Sequence, residues 1–365
     1  MKKDEIFVIY GTEYKKMTIE LLEACKLADM IGDRRKRIGI KPNLVSPSEA
    51  SYGATTHPEV VEGLLQYLKE HGFSEITIME GSWIGAKTKE AFKTCGYDAL
   101  AKRYGVALVD AQKEKSVTVD CKGMELHLCN CALQVDYMIN VPVMKGHCQT
   151  RITCALKNMK GLLPNTEKRR FHTMGLHKPI GHLSMGIRQD FILVDSICGD
   201  LSFEDGGNPT QMNRIFAAAD PVLCDAYVCR LLQYRTEEVP YIGLAEKLGA
   251  GSSDMDKALV RELNMPEHMI KLPDKERVMK LREMTEDVDS CSACYGYLLP
   301  ALDMLEKEGL LKDFPEKICI GQGFRGKSGK LGIGNCTKDF QYTLKGCPPT
   351  EQEMYQFLKN YLKEE

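Results

Sequence analysis

Short apolar strands alternate with helices along most of this chain, and that alternation constrains the fold more than any other feature. Residues 6–10 and 76–79 have the apolar character of buried strands, residues 37–45 are predicted as a strand that ends in a loop, and residues 16–30 have helical spacing. A further helix is predicted to start at Pro58, because the missing N–H of proline costs little in a first turn. Buried strands separated by helices indicate an α/β fold with a mostly parallel sheet covered by helices on both faces.

The same pattern continues beyond residue 80 with less regular elements. Helices are predicted over 88–104 and 148–160, and residues 117–131 alternate as a hairpin that turns at 121–124. The other predicted elements are strands over 106–109, 137–143, 191–195 and 215–218, and a loop over 199–209. Residues 253–290 are charged and helical, and we interpret them as a connector.

The C-terminal segment differs in kind from the rest of the chain. In order, it holds a CxxC pair, a helix over 298–309, a strand over 317–321, a Gly/Lys-rich loop over 321–335 and a helix over 351–362. We therefore predict an α/β domain of residues 1–285 and a small C-terminal domain of residues 286–365.

The composition excludes several classes of protein. The 365 residues carry a net charge of −2, which gives no overall attraction to nucleic acid or to an anionic membrane. The apolar run at the N-terminus is too short for a signal peptide, and no run approaches the ~18 apolar residues of a membrane helix. We expect a cytoplasmic protein, with a homodimer as one option for its assembly.

Four of the fifteen cysteines form a pattern typical of a metal site. Cys291 and Cys294 lie in a CxxC turn, and Cys336 and Cys347 each follow a glycine closely. Glycine beside a ligand lets backbone N–H groups approach the sulfur, and a proline after the last ligand also occurs in ferredoxin-type motifs. The pattern favours an iron–sulfur cluster, with [4Fe–4S] as the expected type.

Zinc is the competing metal for this site, because four cysteines also suit a structural zinc ion. Zinc ribbons usually present two CxxC pairs, whereas ten residues separate Cys336 from Cys347. Cys319 is the fallback ligand, although its apolar strand favours a place in the core. A set of ordinary core cysteines is the third interpretation.

Polar residues follow several of the predicted strands, where the loops of a parallel sheet converge. The proposed substrate-binding residues among them are Lys41, Asn43, His57, Lys157 and Lys160. Together with Lys145, the lysines would make a cationic pocket for a small carboxylate or phosphate. The alternative is that each lysine is an ordinary solvated residue.

His147 and Lys145 follow a predicted strand together, and we expect them to be the general acid/base residues. His172, His177 and His182 are spaced by five, which places them on no common helix or strand face. We therefore interpret these three as loop histidines rather than as a zinc triad.

The order of the motifs resembles a known family. The stretches KPNLV…TTHPEVVEGLLQYLKEHG, DYMINVPVMKGH, ALKNMKGLLP and FILVDSICGDLSFEDGGNPT are similar to the family called domain of unknown function 362. The tail CSACYGYLLPAL…GNC…GCPP resembles the iron–sulfur segment of members of that family. More faintly, the KPN loop and its helix are similar to the N-terminal half of nickel-dependent lactate racemase, whose histidine pattern is missing here.

The resemblance implies an iron–sulfur protein without a particular reaction, and three hypotheses about its function stay open. The first hypothesis is a redox enzyme or electron carrier that acts on a small anionic molecule or a redox partner protein. The second is a non-redox enzyme in which the cluster is structural or acts as a Lewis acid. The third is a binding or metal-delivery module without turnover.

Overall fold

The structure is a computed structural model that describes residues 1–203, 206–267, 270–273, 275–311 and 316–364. Its strands are β1 (Glu5–Tyr10), β2 (Ile38–Pro42), β3 (Ile76–Glu80), β4 (Ala107–Asp110), β5 (Ser116–Asp120), β6 (Glu125–Cys129), β7 (Tyr137–Val141), β8 (Lys145–His147), β9 (Arg151–Thr153), β10 (Phe191–Asp200), β11 (Pro209–Ala218), β12 (Leu259–Glu262), β13 (Thr285–Asp287), β14 (Ile318–Ile320), β15 (Leu331–Ile333) and β16 (Tyr342–Leu344). Its α-helices are α1 (Tyr14–Cys25), α2 (Leu27–Ile31), α3 (Pro58–Glu70), α4 (Thr88–Thr94), α5 (Tyr97–Tyr104), α6 (Asn130–Leu133), α7 (Ala155–Asn158), α8 (Asn165–Thr173), α9 (His177–Gly186), α10 (Pro221–Leu231), α11 (Pro240–Leu248), α12 (Lys275–Glu283), α13 (Ser292–Lys307) and α14 (Glu351–Glu364).

Eight of the described strands form one large sheet in the order β12-β1-β11-β10-β7-β2-β3-β4. Strands β10, β7, β2, β3 and β4 are mutually parallel, and β12 is parallel to β1. Strand β11 is antiparallel to both of its neighbours. The predicted α/β fold with a mostly parallel sheet is therefore confirmed.

Two apolar cores cover the two faces of this sheet. Along β1, Ile6 and Val8 belong to one core, and Phe7 and Ile9 belong to the other. Helices α9, α10 and α11 contribute to the first core, and α1, α3 and α5 contribute to the second. A strand that is buried on both sides needs an apolar residue at every position, which explains the unbroken apolar runs in the sequence.

Two of the predicted helices are each divided in the structure. The segment predicted as a helix over 16–30 consists of α1 and α2, which are separated by Lys26 at φ 55°. The segment predicted over 88–104 consists of α4 and α5, which are separated by Gly96 at φ 79°. A left-handed residue ends a helix because it turns the chain out of the helical path.

The helix predicted over 148–160 is wrong over its first half. Strands β8 and β9 form a hairpin there, with Arg151 at φ 70°, and helical structure is confined to α7 and the 3-10 turn Met159–Leu162. The β-branched residues of this stretch suit the hairpin, and the single left-handed arginine gave no signal in the sequence.

The segment predicted as a connector over 253–290 contains regular elements of both sheets. Strand β12 extends the large sheet beside β1, and α12 and β13 follow it. Residues 268, 269 and 274 of that segment lie outside the described residues. The predicted loop over 199–209 is shorter, because β10 extends to Asp200 and β11 begins at Pro209, and its residues 204 and 205 are likewise not described.

The C-terminal segment builds a second, four-stranded parallel sheet in the order β13-β14-β15-β16. It packs with α13 and α14 around a third core, which also contains Cys148 and Phe203 from the large part of the chain. Helix α13 begins at Ser292, six residues before the predicted start. The division into domains at 285/286 stays a prediction.

Within the part of the chain that the structure describes, no helix combines the length and the apolarity needed to cross a bilayer.

Candidate metal centre and adjoining pocket

A pocket opens at the carboxyl ends of β2 and β3, and a buried ion pair lies at its base. Lys41 Nζ donates to Glu80 Oε2 and to Asn158 Oδ1, at 2.9 Å each. Both side chains of the ion pair are almost completely buried. Burial lowers the pKa of Lys41, and the Glu80 carboxylate opposes that shift.

Three more lysines line this pocket, which we call the basic pocket: Lys157, Lys160 and Lys168. Lys168 Nζ donates to Gly81 O and to Ser82 O at 2.8 Å each, and burial lowers the pKa of this lysine to about 8. Lys157 Nζ lies 3.0 Å from Thr153 Oγ1. Glu80 is the carboxylate among the lining residues, so four ammonium groups face one negative charge there.

Two further polar groups give the basic pocket hydrogen-bonding capacity. Among the described residues, Asn43 Oδ1 is buried and accepts no hydrogen bond. His172 Nε2 lies 3.0 Å from Lys160 Nζ and 3.4 Å from the backbone nitrogen of Ser292. The cavity volume of the pocket is about 80 Å³, below the range of drug-sized ligand sites, so the pocket suits a molecule of only a few heavy atoms.

The four predicted cysteine ligands line a single second cavity, which we call the cysteine cavity. Cys291 precedes α13, and Cys294 lies in its first turn. Cys336 lies in the 3-10 turn Asn335–Thr337, and Cys347 follows β16. The structure therefore brings together four thiols that lie up to 56 residues apart in the chain.

Glycines form part of the wall around the four thiols. Gly334 has φ 89°, and a Cβ atom on it would lie 3.3 Å from Cys294 Sγ. Gly346 has φ 154°, and its backbone N–H donates to Asn335 Oδ1 at 2.9 Å. A side chain at Gly334 would take up space beside the sulfur, as expected where backbone approaches a bulky group.

The sulfur atoms of the four cysteines are spaced more widely than the ligands of a bound single ion. No three of these four cysteines, all of which are described, have sulfur atoms within 4.8 Å of one another. Tetrahedral zinc with Zn–S bonds of 2.3 Å requires sulfur atoms about 3.8 Å apart. A cluster of several iron ions holds its cysteine sulfurs farther apart than a single zinc ion does.

Burial and the neighbouring cysteines raise the pKa of two of the four thiols, Cys291 and Cys294. Burial raises the pKa of Cys291, and the nearby Cys347 and Cys336 raise it further, while Lys160 opposes them. Burial and the other three cysteines raise the pKa of Cys294. Buried thiols become thiolates when a metal ion binds them.

The two cavities share a wall. Ile84, Cys291 and Ala293 line both the basic pocket and the cysteine cavity. Trp83, the single tryptophan of the chain, lines the basic pocket beside this wall, with its ring 5.1 Å from that of Tyr297. A group held by the four cysteines would therefore be separated from a molecule in the basic pocket by one cysteine side chain.

Lys145 and His147 lie apart from this arrangement. Lys145 Nζ donates to Ala54 O at 2.8 Å, and His147 Nδ1 accepts from the backbone nitrogens of Gln149 and Thr150. His147 lines a different cavity, with Arg151 among its neighbours. The hairpin of β8 and β9, which replaces the predicted helix, directs both side chains away from the basic pocket.

His57 is committed to a separate pair with Asp195. Its Nδ1 and its backbone nitrogen both lie within 2.8 Å of Asp195 Oδ2. Burial lowers the pKa of His57, but the charge and hydrogen bond of Asp195 outweigh burial and raise it overall. Of the predicted substrate-binding residues, the structure thus brings Lys41, Asn43, Lys157 and Lys160 together and places His57 elsewhere.

Sequence reasoning did not select Lys168, His172 or Trp83 as site residues. Lys168 lies in the charged helix α8, where a buried lysine has no sequence signature. The spacing of His172, His177 and His182 predicted that they share no helix or strand face. Their interpretation as loop residues is wrong, because they lie in helices α8 and α9. Only His172 of the three lines the basic pocket.

Another group of possible ligands lies in the core. The ligand atoms of Cys154, Cys224 and Asp225 are within 4.8 Å of one another, and all three residues are buried. Asp225 accepts hydrogen bonds from the backbone nitrogens of Ala155 and Leu156, at 2.7 and 3.2 Å. Those bonds satisfy the start of α7, so we interpret Asp225 as a helix cap.

The fold and the site together define an α/β protein with a four-cysteine cavity beside a basic pocket. The chain belongs to the family described as domain of unknown function 362, whose sequence profile matches residues 38–230. The matched range includes the four lysines of the basic pocket and ends before the four cysteines.

Comparison with known proteins adds one relative and two solved structures. A thylakoid-associated protein of Synechocystis sp. is 24% identical over 253 residues, which are 65% of this chain and 76% of that protein. The lactate racemase apoprotein of Thermoanaerobacterium thermosaccharolyticum aligns with a TM-score of 0.42 at 15% identity, over 62% of this chain and 56% of its own. A Thermotoga maritima protein aligns with a TM-score of 0.38 at 13% identity, over 84% of this chain and 81% of its own.

Proposed function

We propose that this protein is an iron–sulfur enzyme that exchanges electrons with a small anionic molecule bound in the basic pocket. The observation that carries the proposal is the position of Cys291, which lines both the cysteine cavity and the basic pocket. Electron exchange needs a short distance between donor and acceptor, and this shared wall supplies it.

Cys291, Cys294, Cys336 and Cys347 would hold the cluster, most consistently as a [4Fe–4S] type. A bound cluster supplies or accepts single electrons at a potential set by charge, hydrogen bonds and exposure. Arg325 lies close enough to hydrogen-bond Cys336, which raises the pKa of the arginine and places a cation beside the sulfur. Such a cation favours the reduced, more negative state of a cluster.

The charge of the basic pocket argues for an anionic substrate. Four buried or half-buried lysines face a single carboxylate, so a carboxylate or phosphate group would lower the electrostatic free energy of the pocket. Asn43 Oδ1 adds a buried acceptor that a hydroxyl or amine donor of the same molecule would satisfy. We therefore expect an anion that also carries a hydrogen-bond donor.

The pair of His172 and Lys160 is placed to hold a proton beside the bound molecule. Their nitrogens are 3.0 Å apart, so one proton lies between two basic groups. Proton transfer commonly accompanies electron transfer to an organic molecule, and a positioned histidine is the usual donor. This assignment replaces the sequence-based choice of His147 and Lys145 in our proposal.

A second candidate is a non-redox enzyme in which the cluster is structural or acts as a Lewis acid. The observation that favours it is Lys168, a buried lysine in the pocket with a pKa lowered to about 8. A lysine that titrates near neutral pH is suited to acid/base chemistry. Substrate turnover without any change in the redox state of the cluster would support this candidate.

Anaerobic metal analysis tests the cofactor directly. We expect several iron and several sulfide ions per chain, a brown colour, and loss of both ions in Cys336→Ala. Cys319→Ala is the control, because Cys319 lies on β14 and its thiol is directed toward Glu286 rather than the cysteine cavity. A colourless protein with one zinc per chain would overturn the proposal.

A further inference from the structure

We propose that an acidic one-electron carrier protein docks on the face around Cys336 and Cys347. The inference rests on the proposed function, because it concerns how electrons reach the cluster. It names a partner surface that the basic pocket does not include.

The cysteine cavity has an inner side and an outer side. Cys291 and Ala293 form the inner side, where the wall is shared with the basic pocket. On the outer side, Cys347 is exposed and Cys336 is half-buried, and the neighbouring Asn335 is also exposed. A carrier on the outer side would approach the cluster without displacing a molecule in the basic pocket.

The outer side lies in the most cationic segment of the C-terminal sheet. Residues 321–347 contain five exposed cations and one exposed anion, a difference of four positive charges, whereas the whole chain is at −2. The five cations are Arg325, Lys327, Lys330, Lys338 and Lys345, and the anion is Asp339. Lys330 is paired with Glu316 at 2.9 Å, which leaves the other four cations to define what we call the basic rim.

Three members of the basic rim lie close to the two outer cysteines. Arg325 lies near enough to Cys336 for the cysteine to raise the pKa of the arginine. Lys338 follows Cys336 by two residues and Lys345 precedes Cys347 by two residues, a chain length that spans at most ~7 Å. Arg169 of α8 also lines the cysteine cavity and is exposed.

Two acidic residues of this region flank the other pair of cysteines, whereas Asp339 follows Cys336 by three residues. Asp287 and Asp289 precede Cys291, and the Asp287 carboxylate accepts hydrogen bonds from Gln149 Nε2 and the backbone nitrogen of Ser290. Their charges therefore lie toward the inner pair, and the outer pair keeps its positive surroundings. A positively charged patch on a protein with a negative net charge steers a negatively charged partner toward that patch.

An acidic carrier fits this face better than an anionic membrane or a nucleic acid. Cys347 is exposed and follows the rim residue Lys345 by two positions, so a partner docked there would lie next to the proposed cluster. A membrane or a nucleic acid would gain nothing from that position, whereas an electron carrier requires it.

The test is stopped-flow reduction of the holoprotein by a reduced, acidic plant-type ferredoxin, with dithionite as the small reductant. We expect Lys338→Glu combined with Lys345→Glu to slow reduction by ferredoxin about tenfold or more at low salt. Reduction by dithionite, whose active species is a small radical anion with a single charge, should slow far less, and added salt should slow the unaltered protein toward the rate of the variant. Calorimetric titration should show that ferredoxin binds the variant more weakly than it binds the unaltered protein.

The matched control is Lys102→Glu combined with Lys247→Glu, two exposed lysines on α5 and α11 with the same total change of charge. Equal ferredoxin rates in the rim variant and in this control would overturn the inference while leaving the proposed function intact. The same holds if the rim variant loses binding to phosphatidylserine vesicles or to single-stranded DNA but not to ferredoxin. A preparation without iron and sulfide would instead overturn the proposed function, and the inference with it.

Discussion

Buried lysines are the residues that most distinguish this site, because an isolated ammonium group is expensive to bury. Lys41 is stabilised by Glu80, and Lys168 by two backbone carbonyls. Their positions at the end of β2 and on α8 bring them to one pocket only through tertiary packing. A molecule that brings negative charge to this pocket would relieve part of the cost of burying them.

Lys168 gives the basic pocket a defined pH dependence. Its pKa is lowered by burial from 10.5 to about 8, so above about pH 8 the folded protein loses a proton that the unfolded chain retains. Stability contributed by this group therefore rises with pH between about 8 and 10.5, while the positive charge of the pocket falls. We expect oxalate affinity to decrease a few-fold as the pH rises through about 8.

Quenching of Trp83 fluorescence by bound oxalate measures this affinity, and the charge of oxalate is constant over the range. Lys168→Met should lower the affinity below pH 8 and remove the step. The control variant Lys102→Met, which changes a lysine outside the pocket, should keep the pH-dependent step in oxalate affinity. A step that persists in Lys168→Met would show that another group titrates.

Gly334 tests how closely the backbone would approach the proposed cluster. Alanine there would meet both a left-handed backbone at φ 89° and Cys294 Sγ at 3.3 Å. Gly326 shares the left-handed conformation at φ 72°, but nothing lies within 4 Å of its Cβ position. Both alanine variants should lose roughly 1 kcal/mol of unfolding free energy, as expected for a left-handed alanine.

Iron content then separates the two variants. Gly334→Ala should hold less iron and sulfide after anaerobic reconstitution, and Gly326→Ala should match the unaltered protein. Urea denaturation and iron analysis are the measurements. Full iron content in Gly334→Ala would contradict the close packing of this glycine against the cluster.

At the scale of elements, the strands that the sequence predicted well are the ones buried on both faces. Every position of β2 is buried, and its first three residues, Ile-Gly-Ile, form an apolar run although the charged Lys41 follows them. The hairpin of β8 and β9 was missed because it depends on Arg151 in a left-handed conformation and on contacts with distant residues. The breaks between α1 and α2 at Lys26 and between α4 and α5 at Gly96 were missed for the same reason, because each depends on one residue in a left-handed conformation.

The short helix α7 links the core to the basic pocket. It carries Lys157 and Asn158, and Asp225 caps its first turn. We expect Asp225→Ala to lose about 1–3 kcal/mol of unfolding free energy and to weaken oxalate binding, although Asp225 does not line the pocket.

The conservative variant Asp225→Asn should retain part of both properties, because its amide oxygen still accepts a hydrogen bond. Urea denaturation and Trp83 fluorescence measure the two effects. Metal content should be the same in both variants, and loss of a metal ion in Asp225→Asn would favour a metal site with Cys154 and Cys224 over a helix cap.

At the scale of the whole molecule, function depends on how the C-terminal sheet is seated on the large sheet. The third core joins Cys148 and Phe203 of the large part to α13, whose first turn supplies Cys294 and the shared wall. Sequence patterns predicted the sheet, the four cysteines and four of the pocket residues. They did not predict which loops meet, since that depends on packing between residues more than 100 positions apart.

The central claim is that a cluster and a bound anion lie on two sides of Cys291. Electron paramagnetic resonance of the dithionite-reduced protein, recorded with and without saturating oxalate, tests it most directly. We predict an iron–sulfur signal whose g-values change when oxalate binds, and no change in a Lys157→Met, Lys160→Met variant that no longer binds oxalate. A spectrum that stays the same while Trp83 fluorescence shows oxalate bound would contradict the account.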